Sequence, residues 1–132
     1  MARFYGIDEA NARLSDLRPL LEQLRRDRAA VARAQRALVK ARTTNGSAEH
    51  AEDLARREAD IREIVRRMQQ DVMRIDGWEI SLRDISSGLV DFPALANGRP
   101  IWLCWRLGEE AVEWWHEANA GFEERKPLTE LE

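Results

Sequence analysis

The chain has 132 residues, 44% hydrophobic and 34% charged, with a net charge of -3 and one cysteine. That is one domain's worth of chain with a modest core, and it excludes a polycation and an internal disulfide. No apolar stretch approaches the ~18 residues of a membrane span, so a cytoplasmic protein without membrane association is expected.

Charge is unevenly placed. Residues 1–46 carry 10 basic and 5 acidic side chains, and residues 76–132 carry 5 and 12. The first 75 residues read as a helical hairpin with its turn at 43–47. Ala10, Leu14, Leu17, Leu21, Leu24, Arg28, Val31, Gln35, Leu38 and Arg42 recur in steps of four and three, a heptad seam diluted by polar residues in its second half. Ala30, Ala34, Ala37 and Ala41 run beside it as a small-residue stripe. A second seam follows in Ala51, Leu54, Glu58, Ile61, Val65, Met68, Val72 and Ile75.

Gly46 is placed to end the first helix and Ser47 to cap the second. Reversal about Gly46 brings Leu38 to Leu54, Val31 to Ile61, Leu24 to Met68 and Leu17 to Ile75. Each arm is then about 45–55 Å long at the helical rise. Glu52–Arg56, Asp53–Arg57, Glu58–Arg62 and Glu63–Arg67 have the favourable acid-first spacing. Pro19 predicts a kink, or a fresh start after Asp16. The basic first helix lacks interleaved aromatics and lies beside an acidic partner helix, so nucleic-acid binding is disfavoured against a solvated face.

Residues 76–132 read as a small antiparallel sheet with a short charged tail. Trp78–Arg83 alternates with period two, Leu89–Leu95 is a second strand with Pro93 marking an edge or an irregularity, and Pro100–Leu107 is a third. Asn97-Gly98 between the last two is a strong two-residue hairpin signal. That turn pairs Val90, Phe92 and Ala94 with Trp105, Leu103 and Ile101 on a core face, and Asp91 with Cys104 and Pro93 with Trp102 on the other. For Val112–Glu117 helix and strand patterns compete, and the aromatics favour a strand. A two- or four-residue turn at Gly108 puts Val112, Trp114 and His116 on the core face and Glu113 and Trp115 on the other; a three-residue turn flips them. The first option sets Arg106 near Asp91 and Glu113.

The segments FYGIDEANARL, GLVDFPAL, LCWRLGE, WWHE and GFEERKPL resemble the bacterial family known as domain of unknown function 2203, over about residues 3 to 128. The family's start usually reads like Phe-Thr-x-Glu-Glu-Ala-Asn, from which Gly6 and Asp8 depart. The resemblance implies a small cytosolic bacterial protein and no particular reaction.

Six residues are candidates for a ligand or partner site: Asp91, Trp102, Arg106, Glu113, Trp115 and His116. A guanidinium fixed by carboxylates over tryptophan rings recognises polar ligands; the plainer alternative is a cross-strand salt bridge. His116 has only His50 as a second imidazole, so no metal site and no cofactor are expected. Cys104, between tryptophans and without a paired base, reads as a buried inert thiol. The expectation is an α+β protein, a long antiparallel two-helix coiled-coil hairpin followed by a small antiparallel β-sheet. Its expected function is a non-enzymatic interaction and assembly module. The arms self-associate, with a homodimer as the expected state, and the sheet face binds a partner or small polar ligand. The alternative is a small enzyme or ligand-binding protein using the Asp/Arg/Glu/Trp cluster.

Overall fold

The computed structural model describes residues 3–43 and 47–131. Helix α1 (Ile7–Arg42) starts where charge favours it, with Asp8 and Glu9 in its first turn and Lys40 and Arg42 in its last. The Glu9 carboxylate accepts from the Gly6 backbone N–H at 3.3 Å. The helix runs through Pro19 without a fresh start after Asp16. Helix α2 (Ala48–Gly77) is capped by Ser47, whose hydroxyl accepts from the His50 N–H at 3.2 Å. The expected reversal at Gly46 lies outside the described residues.

The two helices pack antiparallel, tied by Asp27–Arg67 at 3.2 Å and Arg42–Glu58 at 3.2 Å. These cross-helix pairs take Arg67 and Glu58 away from two of the four pairs expected along α2. Asp53–Arg57 forms at 2.8 Å, while Glu63 pairs with Arg66 at i+3. The seam is also corrected. Ala10, Leu14, Leu17, Leu21 and Leu24 are buried as expected, but Arg28, Gln35 and Arg42 are exposed. Buried Asp27 and the half-buried Ala30, Ala34, Ala37 and Ala41 take the inner face instead. The reason is a change of neighbour: the first half of α1 shares a core with the sheet, and the buried residues of its second half, Asp27 and Leu38, lie outside that core, Asp27 paired with Arg67 of α2.

Five antiparallel strands form one meander in sequence order. They are β1 (Ser81–Asp84), β2 (Leu89–Ala96), β3 (Arg99–Arg106), β4 (Trp114–Glu117) and β5 (Lys126–Pro127). The first begins three residues later than the alternation suggests. Trp78 closes α2 by donating its N–H to Ile75 O at 3.1 Å, and Glu79 sits at φ 59, outside strand geometry. The charged tail is a correction too: its Lys126 and Pro127 pair with Trp115 and Trp114 as a fifth strand.

The β2–β3 register is the expected one, with Val90 opposite Trp105, Asp91 opposite Cys104 and Pro93 opposite Trp102. Asn97 and Gly98 both adopt positive φ, 52 and 78, as a mirror-image hairpin turn requires. Pro93 sits inside β2 at no cost to the ladder. Its carbonyl accepts from Tyr5 N–H at 2.7 Å on the side away from β3, and its missing donor points to that side as well.

The core joins both halves. Leu14, Leu17, Leu21, Leu24 and Ile75 cluster with Val90, Phe92, Ile101, Leu103 and Trp105, and Met68 and Val72 pack against them. Tyr5 stacks edge-on against Phe92 at 5.2 Å and donates its hydroxyl to Trp78 O at 2.7 Å. Asn11 fixes α1 to the β3–β4 connection by accepting from Val112 N–H at 2.8 Å. Among the described residues, no helix is long and apolar enough to cross a membrane.

Gly88 turns the chain into β2 at φ +68, and a Cβ there would lie 2.6 Å from Leu107 Cβ. Gly88→Ala is expected to lose roughly 2–4 kcal/mol in urea unfolding, from a strained backbone plus overpacking. Gly121→Ala, with nothing within 4 Å of the new methyl, is expected to stay within about 0.5 kcal/mol of wild type.

Candidate functional site

The sheet's two faces differ in kind. One is apolar and lies on α1. The other gathers Asp91 from β2, Cys104 from β3 and His116 from β4, which are 3%, 0% and 1% exposed. Their ligand-type atoms all lie within 4.8 Å of one another.

His116 reaches this face through the parity of one connection. Leu103 pairs with Trp115 and Trp102 with His116, so the β3–β4 link of residues 107–113 contains an odd number of residues. This corrects the expectation that Trp114 and His116 share the core face. Trp115 is the core residue, packed with the α1 cluster, its ring under the Lys126 ammonium at 5.2 Å. Trp114 and His116 face the other way.

His116 then spans β3 to reach Asp91, two inter-strand spacings or ~10 Å from strand to strand. Its Nε2 lies 2.9 Å from Asp91 Oδ2, and its Nδ1 lies 2.9 Å from the Glu117 carbonyl oxygen. A carbonyl only accepts, so Nδ1 carries a proton and the ring orientation is set. Arg83 Nε donates to the same Asp91 oxygen at 2.9 Å, and its guanidinium lies 4.8 Å over the Trp102 ring. Arg83 shares the face of Asp91 because Ser81, two residues earlier, pairs with Asp91, and the slip between Leu82 and Asp84 leaves Arg83 itself without a cross-strand partner. Asp91 Oδ1 is buried without a hydrogen-bond partner. A cavity of about 410 Å³ beside it is lined by Arg83, Leu89, Asp91 and residues 118–122.

A second group closes the face. Arg125 binds Glu109 in bidentate fashion at 3.1 and 2.7 Å. Its guanidinium lies 4.6 Å from the Trp114 ring centre and 4.3 Å from that of Phe122, with Cys104 Sγ 3.9 Å away. Burial pushes the Cys104 thiol up to about 12, helped by the neighbouring Asp91 charge and opposed by Arg125. At neutral pH it is a thiol and a poor nucleophile.

Of the six candidates, the fold brings Asp91, Trp102 and His116 together. Arg106 is exposed, its guanidinium 5.1 Å over Phe122 and its backbone N–H held by Glu109 at 2.8 Å. Glu113 is exposed and offers its backbone carbonyl to Leu128 N–H at 2.9 Å. Among the described residues neither joins Asp91 in an ion pair; Arg83 takes that place. Arg83 and Cys104 were absent from the expected site, although Cys104 stood opposite Asp91 in the hairpin register. Glu109 and Arg125 lie outside regular strands and carry no periodic signal.

A two-helix hairpin on a five-stranded antiparallel meander, with a buried Asp/Cys/His cluster on the sheet's far face, defines an α+β protein. The chain belongs to the family described as "Uncharacterized conserved protein (DUF2203)", whose model matches residues 3–128. No curated protein and no solved structure matches it.

The buried thiol gives a pH-dependent expectation. Its folded pKa is raised, so the fold favours the protonated form. That stability is complete below the ordinary thiol range and is lost as pH rises from about 9 towards about 12. Urea unfolding of wild type should therefore weaken over that window relative to Cys104→Ala. Alkylation of the native thiol at pH 8 should be on the order of 10³-fold slower than in the unfolded chain, from thiolate fraction alone.

Proposed function

We propose that this protein is a non-enzymatic interaction and assembly module, in which the helical arms associate with those of a second copy and the sheet's far face is its ligand-binding side. The observation that carries the reading is an open apolar groove of about 710 Å³ along the hairpin. Val31, Ala32, Val65, Met68, Val72, Met73 and Ile85 line it, and Met73 is 71% exposed. Contiguous apolar surface of this kind on a highly charged protein marks an interaction site.

A second copy suits the groove because the charges are complementary. With the arms antiparallel, the basic residues 1–46 of one copy, with 10 basic and 5 acidic groups, can lie along residues 47–75 of the other, with 6 and 7. Buried polar neighbours without an activated nucleophile support binding over catalysis on the sheet. The Cys104 thiol is held protonated at neutral pH, and both ring nitrogens of His116 are engaged.

Light scattering at high protein concentration should give a dimer mass. Met73→Glu, placed in the groove at an exposed position, should give a monomer with unchanged circular dichroism. A strictly monomeric wild type contradicts the reading.

A further inference from the structure

We propose that Asp91, Cys104 and His116 form a binding site for a divalent transition-metal ion of the zinc type, with one coordination position left open. The inference rests on the far face being the ligand-binding side, and not on association of the arms.

Four observations converge. The three side chains come from three adjacent strands, are buried, and have their donor atoms within 4.8 Å of one another. That spread suits ligands gathered around one small ion. Carboxylate oxygen, thiolate and imidazole is a donor set that zinc accepts and that magnesium and calcium do not. His116 is already oriented as metal-bound histidines are: Nδ1 is held by the Glu117 carbonyl at 2.9 Å, leaving Nε2 to face the cluster. Finally, Asp91 Oδ1 is buried and unpartnered while Oδ2 is held by Arg83 at 2.9 Å. One oxygen is therefore anchored and the other is free to ligate.

His116 Nε2 and Asp91 Oδ2 lie 2.9 Å apart with a proton between them, while Oδ1 has no partner. A metal ion displaces that proton and the Cys104 proton, so binding releases protons and converts the thiol to a thiolate. The Asp91 carboxylate and the Cys104 thiolate balance the two charges of the ion, and the nearby Arg125 is already neutralised by its pair with Glu109. Three protein ligands leave a fourth position for water or an exogenous ligand. A cavity of about 410 Å³ reaches Asp91, which is the one of the three ligands that lines it.

The test uses the full chain, freed of metal by chelation and titrated with cobalt(II) and then zinc. Wild type should show the visible bands of tetrahedral cobalt and a near-ultraviolet sulfur-to-cobalt charge-transfer band. Zinc should bleach both at equimolar addition and raise the melting temperature. Cys104→Ser should abolish the charge-transfer band. His116→Gln should weaken zinc binding by more than the roughly 10–100-fold that loss of an outer partner costs. Wild type with no charge-transfer band and no zinc-dependent thermal shift overturns the assignment, and this result needs no variant to fold. So does a Cys104→Ser protein that binds zinc as tightly as wild type. Neither result changes the mass seen by light scattering, so failure here is separable from failure of the assembly reading.

Discussion

The contact between Asp91 and His116 is the constraint to which much of the sheet's far side answers. A carboxylate this deeply buried is stable only if paired and hydrogen-bonded. Arg83, His116 and the β1 bulge satisfy one oxygen and leave the other bare. The pairing needs β4 in one orientation, which needs an odd connection from β3. It also needs a cover over the face, which Arg125 and Phe122 supply by stacking together beside Trp114.

The opposite face carries the fold. Its apolar residues meet the first half of α1, and Tyr5 and Asn11 stitch that helix to the sheet and to the β3–β4 connection. The connection that sets the parity of β4 is thus held from outside the sheet. Its shape is fixed by Asn11 on Val112, Arg18 on the Glu110 carbonyl and the Trp105 indole on the Glu109 carbonyl. The apolar face needs the helix to be dry, and the polar face needs the helix to keep its turn in place. The open groove along the hairpin adjoins this core, since Met68, Val72 and Ile85 line the one and pack against the other.

Much of this was legible in the sequence because it depends on period and turn chemistry. The hairpin arms, the Ser47 cap, the Asn97-Gly98 turn and the whole β2–β3 register follow from local rules. The face assignment of β4 did not, because it depends on whether a loop contains an odd or even number of residues, and no local rule fixes that here. One residue of ambiguity moved Trp115 from the site face to the core, and carried His116, a site candidate expected on the core face, to the face where Asp91 lies. Arg83 was hidden for a related reason: alternation leaves it off the core face, but only the β1–β2 register, with Ser81 opposite Asp91, shows that it reaches that carboxylate. Arg125 and Glu109 are loop residues whose pairing is purely tertiary. Arg28, Gln35 and Arg42 show the limit of the heptad reading: a helix that changes neighbours along its length changes its buried face.

The central claim is that the Asp91–His116 pair is kept for binding and not for folding. The direct measurement is urea unfolding, in chelator, of the double variant Asp91→Val with His116→Leu, which leaves the half-exposed Arg83 free to turn to water. Replacing a buried polar pair by apolar groups is often neutral or stabilising, so the double variant should be at least as stable as wild type. A loss of about 3 kcal/mol or more would show that the pair holds the sheet together, and would contradict the account.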